Sequence, residues 1–352
     1  MPLPVSLPIA PMLAKSVETV PGVDAIEGGY AFEPKWDGFR CIVSRIGDTI
    51  RLDSRSKKPL TDYFPEVVSH AKANLPDQCV MDAELVIRSG APGGEHLDWD
   101  ALSQRIHPAA SRIARLSVET PAELIFFDLL ALGDRDLMGL SLDERRMALE
   151  TLFAGIEHPS LYLTAQTLDT DTARDWFTSF EGAGLDGVIA KPRLDVYRPG
   201  ARAMLKIKHH RTAEAVVVGY RVHKRGHGVG SLLLGMYDAS GQLNMMGGIG
   251  ALSDVMRDQL ETELQPLVVQ DADGLPVAAS KARSRFSSSK DAEFVPLRPE
   301  LVVEVAFDQL EGHRFRHAVT LLRFRSDRDP QSCLIDQVDR AASYDLARVL
   351  AE

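Results

Sequence analysis

Glu33-Pro34-Lys35-Trp36-Asp37-Gly38-Phe39-Arg40 is the stretch on which the reading of this 352-residue chain turns. It sets one lysine among two acids, a glycine and an arginine. A lysine amine attacks only when deprotonated, so a nucleophilic lysine needs nearby cations or a desolvating wall to lower its proton affinity. Gly38 permits close backbone approach or a positive φ, and the fork of Arg40 suits phosphate or ribose oxygens. A solvated surface ion pair is the plainer alternative, and the octapeptide alone leaves it open.

Four further segments carry the same chemistry. Asp82-Ala83-Glu84 runs into apolar Leu85-Val86, and Phe126-Phe127-Asp128-Leu129-Leu130 reads as strand. Gly184-Leu185-Asp186-Gly187 leads into Val188-Ile189-Ala190-Lys191. In Leu205-Lys206-Ile207-Lys208 the two lysines alternate with apolar residues, and a period of two puts both on one strand face.

Lys-x-Asp-Gly-x-Arg resembles the nucleophile motif of the covalent nucleotidyltransferases, which include DNA ligases, RNA ligases and mRNA capping enzymes. The other segments follow in that superfamily's order, and Pro11-Met12-Leu13-Ala14 resembles the amino-terminal segment of ATP-dependent DNA ligases. The resemblance runs from Pro11 to about Pro330 and is greatest to the stand-alone bacterial C-type ligases.

It implies a role for each residue. Lys35 would attack the α-phosphorus of ATP and form lysyl-AMP. Glu33 would face the adenine edge and favour ATP over GTP, and Phe127 would stack on the base unless it is simply core. Arg40 and Arg55 would bind nucleotide or the nick phosphate, with an exposed turn as the alternative for Arg55. Glu84 would hold the ribose or a divalent cation. Lys206 and Lys208, with Arg202 upstream, would converge on the α-phosphate, stabilise its developing charge and depress the pKa of Lys35. Asp186 stands where glutamate is usual. It would bind Mg²⁺ or Mn²⁺, or serve only as a turn residue before Gly187. Lys191 is either a nucleotide contact or a surface lysine. Arg316, Arg325 and Arg328 resemble the last motif, which orients pyrophosphate.

Composition fits this reading. Hydrophobic residues at 45% and charged residues at 26% are the balance of an ordinary globular chain, and 352 residues suit two domains. No apolar run approaches a membrane span, and the proline-containing start is not a signal peptide, so no membrane partner is expected. Cys41, Cys79 and Cys333 form no zinc or disulfide pattern, which fits a reducing cytoplasm and disfavours the zinc-bearing NAD-dependent ligases.

The net charge of −10 hides an uneven distribution. Between Val196 and Gly230, Glu214 is the one acid among eight basic residues. Two more clusters follow: Lys281, Arg283, Arg285 and Lys290 with Phe286, and Arg314, Arg316, Arg323, Arg325 and Arg328. Together they suggest a surface for the backbone of nicked duplex DNA.

The expected fold is α+β. An adenylyltransferase domain (an ATP-grasp-like nucleotidyltransferase) spans 1–208. An OB-fold β-barrel spans 209–330, and a helix packed on it spans 331–352. Ser141 and Glu144 form a capping box that starts a helix over 141–153, with Met147, Leu149 and Leu152 on its apolar face. A second helix is expected over 171–180, with Trp176 and Phe177 in the core, and a third over 253–266. The expected enzyme is a monomeric ATP-dependent DNA ligase, nucleoid-associated, acting in repair beside polymerase or nuclease partners. An RNA ligase or capping-type nucleotidyltransferase, or a catalytically silent nucleic-acid-binding relative, are the alternatives.

Overall fold

The computed structural model describes residues 3–209, 211–275, 277, 293–308, 310–311, 314–338 and 344–351. The basic cluster from Lys281 to Lys290 lies outside the described residues. The chain divides into two compact units, Met1–Lys208 with Ala341–Glu352, and His209–Arg340.

The first unit is built on two sheets. One is four-stranded, in the order Leu13–Val17, Arg202–Ile207, Val188–Pro192, Tyr30–Pro34. The other is centred on Phe39–Ile46, Gln78–Val86 and Glu123–Leu132, flanked by Thr49–Ser54 and Leu161–Leu163. Strand alternation decides what each face carries. In the second sheet, Cys41, Val43, Met81, Ala83, Leu85, Leu124 and Phe126 turn to one side, where the helices Pro65–Asn74 and Leu142–Phe153 cover them. Ile42, Val80 and Leu130 turn to the other side and pack with Ile189 and Met204 of the first sheet. The first sheet's opposite face, with Phe32, Val188, Ala190 and Ile207, is covered by Trp176 and Phe180 and by Leu346 and Val349.

The helix over Leu142–Phe153 begins with the expected capping box: the Ser141 side chain accepts from the Glu144 amide, and Glu144 answers at the Ser141 amide. Its inner face differs from expectation. Leu149 is fully buried, but Met147 is 64% exposed. Arg145 lies in the core instead, its guanidinium donating to Asp128 at 2.7 and 3.0 Å. An ion pair satisfied in this way can replace an apolar contact when both partners are desolvated together. The next helix, Thr170–Ser179, buries Trp176 and leaves Phe177 half-buried.

The second unit is a five-stranded antiparallel sheet in the order Leu243–Ile249, Val229–Tyr237, Arg211–Val222, Val295–Phe307, Thr320–Phe324. Bulges interrupt several of its pairings, which bends the strands around Val217, Leu234, Met246, Val303 and Val305. The helix Asp254–Glu263 closes this core through Leu260.

The tail departs from expectation. Two short 3₁₀ turns, Pro330–Ser332 and Ile335–Gln337, stay with the second unit and bury Cys333 and Val338. The helix Leu346–Ala351 does not pack there. It belongs to the first unit, where Leu346 and Val349 are buried and the Leu346 amide donates to Glu95 O at 3.0 Å. The physical reason is the uncovered apolar wall around Trp176 and Phe180, which needs a partner. No helix of the described residues is long and apolar enough to cross a membrane.

Candidate active site

The chemistry gathers where the two sheets of the first unit face each other. Ile189 pairs with Glu33 on one side and Lys206 on the other, so these three share a face. Continuing by twos along each strand adds Lys35, Lys191 and Lys208 to it. From the opposing sheet, alternation presents Arg40, Asp82, Glu84 and Phe127.

Lys35 sits just past its strand, held by backbone bonds in both directions. Its amide donates to Gly187 O at 2.9 Å, and its carbonyl accepts from the Asp186 amide at 3.1 Å. Gly187 has φ +125°, and a Cβ there would lie 2.0 Å from Ile207 O, so no other residue fits this crossing. The crossing brings Asp186 under the lysines. Its Oδ2 accepts from Lys35 Nζ and from Lys208 Nζ, both at 2.6 Å. Burial alone would raise the Asp186 carboxyl, but the two ammonium groups pull it below its ordinary value. Lys206 lies in the same field. Burial lowers its pKa, and Lys208, Lys35 and Arg55 lower it further. Arg55, exposed in the turn after Ser54, is thus electrostatically part of the cluster.

The deeper half is a chain of buried contacts. Glu33 is 3% exposed, and its Oε2 accepts from Lys191 Nζ at 2.6 Å. Lys191 is therefore no surface lysine. It also donates to Phe127 O at 3.1 Å and lies 4.8 Å from the Phe127 ring centroid. Arg40 covers that ring at 4.2 Å and is clamped to Asp82 by two bonds of 2.6 and 2.7 Å. Tyr197 donates to the same carboxylate at 2.6 Å and accepts from the Met12 amide at 3.0 Å. Trp36 is fixed by its indole donating to Thr164 Oγ1 at 2.8 Å.

Glu84 accepts from the Gly38 amide at 3.1 Å, and a Cβ on Gly38 would fall 2.2 Å from Leu85 O. Loss of hydration pushes the Glu84 carboxyl up to about 7, against the opposing pull of Arg40 and Lys35. A carboxyl poised there gains a full negative charge when a cation arrives.

The remaining expected residues have partners of their own. Arg202 is exposed at the start of its strand and donates to Ala14 O at 3.3 Å. In the second unit, Glu214 accepts from Arg325 and, at 2.6 Å, from Arg328, while Asp327 takes Arg325 at 2.8 and 2.9 Å. Arg316 is buried, and burial pushes its guanidinium down to about 10.

Sequence reasoning gave no role to Asp82, Tyr197 or Gln166. Gln166 donates to Glu33 Oε1 at 3.0 Å. Asp82 carried a signal, a charged residue amid buried neighbours. Tyr197 and Gln166 carried none.

Comparison with known proteins gives one answer. Residues 11–208 match the ATP dependent DNA ligase domain, and residues 225–328 match the ATP dependent DNA ligase C terminal region. The chain is 51% identical over 353 residues to DNA ligase C2 of Mycolicibacterium smegmatis (strain ATCC 700084 / mc(2)155), covering 96% of each protein. It is 49% identical over 365 residues to DNA ligase C of Mycobacterium tuberculosis (strain ATCC 25618 / H37Rv), covering 99% of each. Among solved structures, it resembles one from a structure–function study of Lig E DNA ligases, with a TM-score of 0.55 and 19% identity. That match covers 90% of this chain and all of the other, and it speaks for the fold.

Proposed function

Since the chain belongs to the ATP-dependent DNA ligases of the stand-alone C type, and seals nicks in duplex DNA with ATP, we propose that Lys35 is the residue that carries AMP through the reaction. One observation supports this most directly: Lys35 and Lys208 meet at a single Asp186 oxygen, each at 2.6 Å, with Lys206 in the same field. The Lys35 amine attacks the α-phosphorus of ATP, a P–N bond forms and pyrophosphate leaves. Lys206 and Lys208 hold the negative charge that spreads over the phosphoryl oxygens. The 5′-phosphate at the nick then takes AMP from Lys35, and the 3′-hydroxyl displaces AMP to close the strand.

Phe127 is the ring for the base side of the cleft; it is 6% exposed, and the Asp82 clamp fixes Arg40 over it, so the base meets the Phe127–Arg40 pair. Asp186 and Glu84 offer hard carboxylate oxygens, which suit Mg²⁺ or Mn²⁺ shared with substrate phosphates. A divalent ion bound there would supply positive charge to the pyrophosphate leaving group. Arg55 and Arg202 meet the DNA or triphosphate from the rim, and Arg316, Arg325 and Arg328 act on the pyrophosphate.

We place the protein in the cytoplasm with the nucleoid, as a monomer. A nick bearing a 5′-phosphate and a 3′-hydroxyl is what gap filling and flap removal leave behind, so repair polymerases or nucleases are its expected partners. Labelling with α-³²P ATP followed by a denaturing gel tests the central claim. Wild type should acquire an acid-labile label on Lys35, and absence of any covalent label would overturn it.

A further inference from the structure

We propose that Gln166 reads the base of the nucleotide: its side-chain carbonyl accepts a hydrogen bond from the 6-amino group of adenine, and Glu33 fixes which way round the amide sits. The proposal rests on the reading that ATP is bound in this cleft and adenylates Lys35.

Glu33 is poorly placed to read the base by itself. Its two carboxylate oxygens already accept from Lys191 at 2.6 Å and from Gln166 at 3.0 Å, and it is 3% exposed. Gln166 is half-buried, and among the described residues no group donates to its Oε1. A carboxylate paired with a lysine only accepts, so Gln166 must present its NH₂ to Glu33 and turn its carbonyl the other way. The backbone beside it is equally fixed. Phe32 N donates to Thr167 O at 2.8 Å, and Thr167 N donates to Phe32 O at 2.9 Å. These two bonds pin the residue after Gln166 to the residue before Glu33. From the Phe127 ring, a continuous set of contacts runs through Lys191 and Glu33 to Gln166.

The chemistry of the purines then decides the outcome. Adenine offers an N–H donor at position 6, whereas guanine and hypoxanthine offer a carbonyl acceptor there. The Oε1 of Gln166 matches the first and sets lone pair against lone pair with the second. Turning the amide over would help a 6-oxo purine. It would also bring the Gln166 carbonyl to about 3 Å from the Glu33 carboxylate, two acceptors with no proton between them. Sites that pair a specific hydrogen-bonding group reject analogues lacking it far more strongly than apolar pockets reject a change of shape. The expected preference of Glu33 for ATP over GTP is thus exerted through Gln166.

The test is single-turnover lysyl-nucleotide formation with α-labelled ATP and ITP, in wild type, Gln166→Leu and Glu33→Gln. Gln166→Leu removes the acceptor at nearly constant volume. It should lower kcat/KM for ATP about tenfold and leave the ITP value unchanged or higher, so the ATP:ITP ratio falls by at least that factor. Glu33→Gln frees the amide to turn over and should raise ITP use relative to ATP. An unchanged ATP:ITP ratio in Gln166→Leu overturns the proposal, whether both rates fall together or neither does. Covalent labelling of Lys35→Ala would instead show that the lysyl-AMP reading itself has failed.

Discussion

Asp186→Asn removes one negative charge from the point where two ammonium groups meet. Both Nζ atoms lie 2.6 Å from the same oxygen, so they are at most about 5 Å apart. At an effective dielectric near 20, two unit charges at that distance repel by about 3 kcal/mol. The Lys35 and Lys208 side chains are 18% and 15% exposed, so water and small rotamer shifts relieve part of the repulsion. A net loss of about 2 kcal/mol is expected, which for a unit of this size lowers its melting temperature by roughly 4–8 °C. Calorimetry at neutral pH without nucleotide measures it. Raised salt should shrink the difference, because exposed repulsion is screened. Sealing rates across a Mg²⁺ titration should show a weaker response to the metal. Asp186→Glu keeps the charge and should retain both stability and activity. If Asp186→Asn melts like wild type and seals with the same Mg²⁺ dependence, the residue is only a turn former, for which asparagine is an equivalent substitute.

Lys35→Ala should take no label from α-labelled ATP yet still bind nicked DNA in a mobility shift, and a labelled variant would remove Lys35 from its role. For Glu84, the raised value near 7 against an ordinary 4.5 means the folded protein holds a proton that the unfolded chain releases. Stability from this group is therefore full below about pH 4.5 and is lost as pH rises towards 7. Denaturant titrations should show Glu84→Gln flattening that slope, and its adenylation rate should lose the wild-type rise across pH 7. Leu346→Ala, at a residue 1% exposed, should cost about 2–3 kcal/mol. It should lower the melting of the first unit, and an unchanged transition would contradict the packing described for that helix.

What was legible in the sequence followed from short-range periodicity. A period of two is sufficient to put Glu33 with Lys35 and Lys206 with Lys208, and the capping box at Ser141 states its own geometry within four residues. What was hidden needed the third dimension. Arg40 was expected to bind nucleotide or the nick phosphate, and nothing in the sequence showed that its guanidinium is held by Asp82, 42 residues away. Lys191 could be read as surface or site, and only its pairing with Glu33 decides. Gln166 lies in an irregular segment 133 positions from its partner, with no pattern to mark it. Met147 failed as a core residue because Leu142, Arg145, Arg146 and Leu149 take the buried face, Arg145 paired with Asp128. An amphipathicity count treats every arginine as polar and so cannot foresee that exchange.

The return of Leu346 and Val349 to the first unit has a consequence during synthesis. The strands and helices that carry Lys35, Asp186, Lys206 and Lys208 leave the ribosome before residue 209, but the helix that covers Trp176 and Phe180 follows only after about 140 further residues. At about 5–20 residues per second, the apolar wall stays open for roughly 7–30 s. Throughout that interval the nascent chain offers a surface that chaperones hold and proteases recognise. A chain released early, anywhere past residue 208, would carry Lys35 and its neighbours on an unfinished core. Truncated products of a damaged message should therefore be cleared rather than accumulate as partial enzymes able to trap ATP.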